Sequence, residues 1–430
     1  MDQSANSHSD ARPVQLAHDA AQVADAAARL TALPQLSTSE EYARVVHGLC
    51  QVSVRLLGAD PTLARDLRRA LRSSTGLSPE MIEWGLTTTL SSVRPDVLDA
   101  FARESIGTRG VVPIPASLVA VVLAGNVFSA SVRAMFLPLL TGAPVLIKAS
   151  SRDDVLPRHL LRALHGVDPE VAQRCEVVTF PRDDASALDA LLAQAEVVSI
   201  YGDDDTTRTI AGRARAGSRT VQHGHGLSAS WVTTHALETP AALRDCALRL
   251  ALDIAAYDQR GCLSPHMIFV DHAGAGMGDA RALIKVLVDE ALPELQRLLP
   301  AGRSDTSDQA LALQWRAAAQ VRGMLFERPG FAVSYEADHA PRPSPGGRLV
   351  SVYDCSGPDQ LAERVASFGS ALKCIGVAGP RPLRQRLAQA IRRVGPARIC
   401  RAGEMQTPPF DTYADGQPPL AGLLSFIDAD

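Results

Sequence analysis

From Leu118 onward, short apolar runs alternate with segments of helical periodicity, and that alternation limits the chain to one fold class. Leu118-Val-Ala-Val-Val-Leu-Ala124 contains no polar residue, as a strand covered on both faces requires. A helix over Ser129–Thr141 follows, then the strand Val145–Ile147, a helix over Val155–His165 and the strand Glu176–Phe180. A helix over Ala185–Gln194, the strand Glu196–Tyr201 and a helix over Thr206–Ala216 complete the series. Strands without polar alternation, separated by helices of about ten residues, predict a parallel sheet. Right-handed crossovers make that sheet doubly wound. Gly125-Asn126, Lys148 and Gly202 then share the edge at which such sheets bind ligands.

A second α/β section begins near Ser228. Leu243, Cys246, Ala247, Leu250, Ala251 and Ile254 repeat at helical spacing, which makes Cys246 a core residue, and Leu283–Leu295 forms another apolar stripe. Strands are expected at Met267–Val270, Leu349–Tyr353, Lys373–Val377 and Ala397–Cys400, with helices over Asp359–Phe368 and Leu383–Val394. Residues 1–12 are polar and expected to be disordered. From about 13 to 105 the pattern is helical, broken at Pro34, Gly58 and Gly76. Thr407–Pro419 is too rich in proline for regular structure.

Composition removes several classes of function. The 430 residues are 46% hydrophobic and 21% charged, with a formal net charge of −4 and no basic run, so nothing favours nucleic acid. Asn126, Arg133, Pro138 and the Gly142-Ala143-Pro144 turn interrupt the apolar stretch from Leu118 to Ile147. No run of about 18 apolar residues survives, so no membrane span is expected. The seven cysteines lack any Cys-x-x-Cys pair, which suits reduced thiols and a cytoplasmic location. The polar, acidic N-terminus does not read as a signal peptide.

The chemistry concentrates on Tyr257-Asp-Gln-Arg-Gly-Cys262-Leu-Ser-Pro265. A thiol on a loop after glycine leaves room for another molecule to reach its sulfur, as a nucleophile requires. The alternative is a structural thiol in a tight turn. The preceding helix C-terminus disfavours a thiolate, which Arg260 is placed to offset. Asn126 can donate to an oxyanion or cap the helix starting near Ser129. Lys148 can anchor a ribose or phosphate, or simply face water. His223 and His225 alternate with Gly224 and Gly226, and one histidine reads as a proton donor in a cleft. A zinc site on this pair with Cys262 lacks a spaced fourth ligand, so no metal is expected. There is no Gly-x-Gly-x-x-Gly. Asp203, Asp204 and Asp205 after Gly202 would repel a pyrophosphate and suit the cap of the next helix.

Gly125-Asn126, Val-Leu-Ile-Lys148-Ala-Ser150, Ile-Tyr201-Gly202, His223-Gly-His225-Gly, the Cys262 string and Gln406-Thr-Pro-Pro together resemble the acyl-CoA reductase family. That family includes the fatty-acid reductase subunit of bacterial luminescence and is a branch of the aldehyde dehydrogenase superfamily. The resemblance runs from about Pro113 to the end.

It implies an aldehyde-dehydrogenase-like α/β fold, with two doubly wound parallel-sheet domains and a helical N-terminal region. The implied domains are a helical region and cofactor domain over 13–227, a thiol-bearing domain over 228–400, and a tail over 401–430 packing back on the cofactor domain. It further implies Cys262 as nucleophile, Asn126 as oxyanion donor, and Lys148, Ser150, Tyr201 and Gly202 at an NADPH site. Arg152 is placed to pair with a 2′-phosphate. Hydrolytic members carry Glu-Leu-Gly-Gly where this chain has His223-Gly-His225-Gly, a change that favours thioester reduction over oxidation to an acid. The substrate expected is an acyl-CoA or acyl-enzyme thioester, with an acyl-activating protein as partner and a homo-oligomeric assembly. The second reading is a catalytically silent subunit of the same fold serving such a partner.

Overall fold

Strands with no face to spare for solvent build the first sheet. The computed structural model describes residues 17–106, 110–150, 153–272, 278–337, 339–395 and 397–428. The segment 1–12, expected to be disordered, lies outside the described residues. After the short strand Val111–Pro115 (β1) come Val119–Val122 (β2), Val145–Lys148 (β3), Cys175–Val178 (β4), Val197–Tyr201 (β5) and Arg219–His223 (β6). The last five form a parallel sheet in the order β4-β3-β2-β5-β6. β2 and β3 are buried at every position. The chain winds outward from β2 through β3 and β4, then returns to lay β5 on the other side of β2. This reversal opens a crevice between the C-terminal ends of β2 and β5.

The second sheet takes Leu227–Val232 (β7), Pro265–Asp271 (β8), Met324–Arg328 (β9), Phe331–Tyr335 (β10), Leu349–Cys355 (β11), Leu372–Ala378 (β12) and Arg398–Arg401 (β13). Their order is β13-β12-β7-β8-β11-β10-β9, parallel throughout except for β9 against β10. Only Gly224-His225-Gly226 separates β6 from β7, a link that spans at most about 14 Å. The C-terminal edge of the first sheet therefore faces the N-terminal edge of the second.

Two of these strands are not visible in hydropathy. β6 exposes alternate residues and has no apolar run. β7 is wholly buried but carries Ser228 and Ser230, whose hydroxyls donate to the Cys262 carbonyl at 2.8 Å and toward the Met405 sulfur at 3.6 Å. Internal partners let serine sit in a buried strand. The helix expected over Thr206–Ala216 lies at Asp204–Arg213. The helix Thr306–Arg322 also escapes the pattern, since Ala319 is its one fully covered residue.

Before β1 stand the helices Ala20–Thr31, Ser39–Val54, Pro61–Thr75, Pro79–Leu90 and Pro95–Ile106. Asp19 with Gln22 and Thr38 with Glu41 form capping boxes, while Asp60 and Ser78 cap helices that open on proline. Gly76 ends the third helix at φ 69°, the left-handed position glycine adopts freely.

The C-terminal segment returns across the first sheet. Leu424–Asp428 (β14) pairs antiparallel with β1, and Arg133 donates to the Thr412 carbonyl at 2.7 Å. Phe410 is buried against Phe101 and Phe136, ring centroids 6.2 and 6.5 Å away. Among the described residues no helix is long and apolar enough to cross a membrane. Phe410→Ala should cost about 3–5 kcal/mol of stability, read as a lower urea midpoint with earlier proteolytic cleavage of the tail. An unchanged midpoint would remove Phe410 as the anchor.

Candidate active site

Cys262 is delivered by a backbone that local propensity opposes. After the helix Pro240–Ala255, residues Tyr257, Asp258 and Gln259 take φ values of 52°, 53° and 59°. Left-handed conformations cost non-glycine residues about 1–2 kcal/mol each, so three in a row require strong partners. The Asp258 carboxylate accepts from the Gly302 N–H at 2.9 Å and from Nε of the buried Arg348 at 3.0 Å. The Gln259 amide donates to the Pro265 and Leu349 carbonyls at 2.8 and 3.0 Å and accepts from the Leu349 N–H at 2.7 Å. It thereby pins the turn to the starts of β8 and β11. Tyr257 packs edge-on to Trp84 and Phe128 at 5.4 and 5.8 Å. Arg260 does not serve the thiol as expected. It donates instead to the carbonyls of Thr75 and Arg303 at 2.7 and 2.9 Å, tying the loop to the N-terminal helices.

The Cys262 side chain is exposed to solvent. A Cβ at Gly226 would meet the Lys373 side chain and come within 2.9 Å of the Cys262 Cβ, so glycine is needed for this close approach. A Cβ at Gly261 would lie 3.5 Å from Val127 and 3.4 Å from Gln406. The loop bearing Asn126 thus abuts the loop bearing Cys262. Asn126 is exposed, and among the described residues no hydrogen bond engages its amide. The next helix starts at Ala130 behind Ser129, without a side-chain cap, so Asn126 does not serve as its cap.

Two residues that local sequence does not mark complete the cleft. Asp415, from the C-terminal tail, bonds Nδ1 of His223 at 2.8 Å through one oxygen and Nζ of Lys373 at 2.5 Å through the other. Asp415 follows Tyr-Ala and precedes Gly, which reads as an ordinary turn, and Lys373 reads as a strand start. A carboxylate does stand at the cleft, then, but His223 and Lys373 occupy both its oxygens. Burial pushes the Asp415 carboxyl up, yet the bonds from His223 and Lys373 outweigh it and hold it below the usual range. Tyr201 stacks on His223 at 4.3 Å. Dense surroundings, then Asp415, push the Cys262 thiol above its ordinary pKa, with Lys373 opposing. His225 is exposed, and its N–H donates to Asp204 at 3.1 Å. Its ring adds to burial in depressing His266 to about 4. The structure therefore separates the two histidines.

The expected cofactor edge holds Lys148, Ser150, Tyr201 and Gly202. Lys148 is buried, with its amine 5.4 Å from the centroid of Phe180, and burial with Arg182 nearby lowers its pKa. Among the described residues no carboxylate pairs with it. Ser150 bridges Asp153, and Arg152 lies outside the described residues. The Gly202 N–H donates to the His223 carbonyl at 3.2 Å. Asp203 caps the helix Asp204–Arg213 through the Thr206 N–H at 2.7 Å, and Asp205 pairs with Arg208 at 2.8 Å. The carboxylates after Gly202 are thus engaged locally. Among the described residues no group of three or more His, Cys, Asp or Glu side chains could hold a metal ion.

Removing one partner of the buried Arg348–Asp258 pair strands a charge, at a typical cost of about 3–5 kcal/mol. Arg348→Met should lower the denaturation midpoint accordingly and slow alkylation of Cys262 through loss of the turn. A variant with an unmoved midpoint would show the turn to be held otherwise.

The sequence profile described as Acyl-CoA reductase (LuxC) matches residues 28–426. The long-chain acyl-protein thioester reductase of Vibrio harveyi is 25% identical over 205 residues, 47% of this chain and 41% of that protein. Its namesake in Photorhabdus laumondii is 26% identical over 191 residues, 44% and 38% of the two. The match thus spans about two-fifths of the length of these curated relatives. Among solved structures, aldehyde dehydrogenase 21 from Physcomitrella patens superposes with a TM-score of 0.74 at 13% identity, covering 96% of this chain and 90% of its own. An NAD-dependent aldehyde dehydrogenase from Sinorhizobium meliloti gives 0.71 at 15%, covering 96% and 87%. The fold is aldehyde-dehydrogenase-like, and the chain belongs to the acyl-CoA reductase (LuxC) family.

Proposed function

We propose that this protein reduces an acyl thioester, carried on coenzyme A or on a protein, to an aldehyde through an acyl group held on Cys262, with NADPH as reductant. The observation that carries this reading is the exposed Cys262 between two facing sheet edges, beside Asn126, whose amide makes no hydrogen bond among the described residues. The names of the relatives, long-chain acyl-protein thioester reductases, support the same substrate class.

Among the described residues Lys148 has no carboxylate partner, and a buried cation at the ligand edge of the first sheet fits the ribose hydroxyls or phosphate of a nucleotide. Lys148, Ser150, Tyr201 and Gly202 would hold NADPH there, with Arg152 toward its 2′-phosphate. When bound, NADPH supplies the two electrons, as hydride, that turn the acyl thioester into an aldehyde.

The remaining chemistry belongs to the chain. Cys262 displaces the donor thiol, exchanging one thioester for another at nearly equal energy. Asn126 and the Cys262 N–H hold the negative oxygen of the tetrahedral centre, each donor being worth about 2.7–4 kcal/mol. Among the described residues the carboxylates at His223-Gly-His225-Gly are bonded, Asp415 by His223 and Lys373 and Asp204 by the His225 N–H, which disfavours activation of water against the acyl group. An acyl-activating protein would deliver the acyl group. Self-association belongs to the same reading, supported by exposed Leu313 and Val321 on the helix Thr306–Arg322 and exposed Phe426 and Ile427 on β14.

Mixing the protein with palmitoyl-CoA and shorter analogues should add one acyl mass to the intact chain. Cys262→Ser should abolish that adduct, and Asn126→Ala should lower aldehyde formation about 10²–10³-fold. An acyl adduct that persists in Cys262→Ser would sink the mechanism. In fluorescence titration NADPH should bind more tightly than NADH, and equal affinities would refute the 2′-phosphate assignment.

A further inference from the structure

We infer that Asp415 is a positioning residue that presents His223 to the Cys262 sulfur, and that His223 carries the thiol proton to the departing thiolate during acyl exchange. This rests on the acyl-transfer reading above. Three segments distant in sequence meet here. His223 ends β6, Lys373 starts β12, and Asp415 comes from the returning tail. The Asp415 carboxylate joins the other two at 2.8 and 2.5 Å. Lys373 and Cys262 both crowd Gly226, so this cluster lies within a side chain's reach of the sulfur.

The bond to Asp415 decides the histidine's tautomer. The carboxylate accepts a hydrogen bond from a proton kept on Nδ1, leaving the lone pair on Nε2. Tyr201, stacked on the ring at 4.3 Å, fixes its plane. Among the described residues the His225 ring has no such partner, and its backbone N–H bonds Asp204.

A base assists because the thiol is held above its ordinary pKa. Dense surroundings and the Asp415 charge push it up, and Lys373 only partly offsets them. The charged and titratable groups around His223 are Asp415 from the tail, Lys373 from β12 on the same carboxylate, and Tyr201 from β5. Asp204 lies against Gly224, 2.8 Å from where a Cβ would stand. Arg133 faces Tyr201 from the helix Ala130–Leu140.

The exchange balances without an oxidant or reductant. Nε2 of His223 takes the proton of Cys262 as the sulfur forms its bond to the acyl carbon. The tetrahedral centre collapses, the donor's carbon–sulfur bond breaks, and the leaving thiolate takes the proton back from Nε2. One thiol replaces another, and His223 ends neutral. Asp415 keeps its charge throughout and stabilises the imidazolium between the two transfers.

The test follows acylation of the full-length protein by palmitoyl-CoA without nucleotide, using intact mass, alongside iodoacetamide alkylation of Cys262 against pH. His223→Gln and Asp415→Asn should each slow acylation about 10²-fold or more. Asp415→Asn should also move the alkylation profile to lower pH, since it removes a charge that raises the thiol, and Lys373→Met should move it to higher pH. Slower acylation with easier alkylation in one variant separates positioning from damage, which would slow both. The inference falls if either His223→Gln or Asp415→Asn acylates at the wild-type rate. It also falls if His225→Gln matches the loss in His223→Gln, or if Asp415→Asn slows both reactions. Failure of the wild-type chain to take up any acyl group would overturn the acyl-transfer reading together with this inference, whereas fast acylation of the variants overturns the inference alone.

Discussion

The buried pair of Arg348 with Asp258 is the interaction on which the cleft depends. The Arg348 guanidinium also bonds the Gln296 side chain and the Leu299 carbonyl, the latter at 2.7 Å, so its donors are taken up without water. Burial depresses its pKa, with Asp258 opposing. A buried ion pair contributes little net stability over an apolar replacement. Its use here is to make one backbone conformation the only affordable one. Three left-handed residues would relax singly at no penalty, and the thiol would leave the seam between the sheets. The strain sits beside the Cys262 sulfur, and the partners that hold it lie one layer behind.

Connectivity does the rest. Because β6 passes into β7 through three residues, the two sheets cannot separate, and whatever follows β2, β5 and β6 must face whatever precedes β8 and β12. Asn126, Tyr201 and His223 come from the first set, Cys262 and Lys373 from the second. The tail then closes the arrangement. Asp253, buried in the helix Pro240–Ala255 and pushed up by burial to about 7, bonds the Gly403 and Met405 N–H groups at 2.6 and 3.1 Å. That fixes where the chain leaves β13. Phe410 fixes it again on the first sheet, and Asp415 arrives between the two anchors.

Much of this is legible in the residues, and what is not has physical reasons. Buried parallel strands announce themselves because both faces must be apolar, as in β2, β3 and β5. β6 lies at a sheet edge with one face wet, and β7 buries serines that find partners only after folding. The Cys262 loop is marked by glycine and Ser-Pro, but no propensity signals that Tyr257, Asp258 and Gln259 turn left-handed. Their partners lie far off in sequence, at Arg348 and Leu349 and, for Tyr257, at Trp84 and Phe128. Lys373 and Asp415 stay hidden for the same reason: each is unremarkable locally, and only the tail's return makes them neighbours. Arg260 shows the converse error, since proximity in sequence to the thiol places its guanidinium on the opposite side of the loop.

The charge pattern then bears on chemistry. A thiol meant to react unaided is usually surrounded by positive charge that lowers its pKa. Cys262 has Lys373 nearby, but that lysine is shared with Asp415, and dense surroundings with Asp415 hold the thiol above its ordinary pKa. A resting thiol of this kind resists oxidation and chance alkylation. In the proposed exchange its ionisation is coupled to His223, which then returns the proton to the group that leaves. Replacing a free glutamate by a histidine whose inner nitrogen is bound to Asp415 changes what the site can do with water. A free carboxylate would activate water against the acyl group, whereas in the proposed exchange His223, bound to Asp415, takes the sulfur's proton and gives it back.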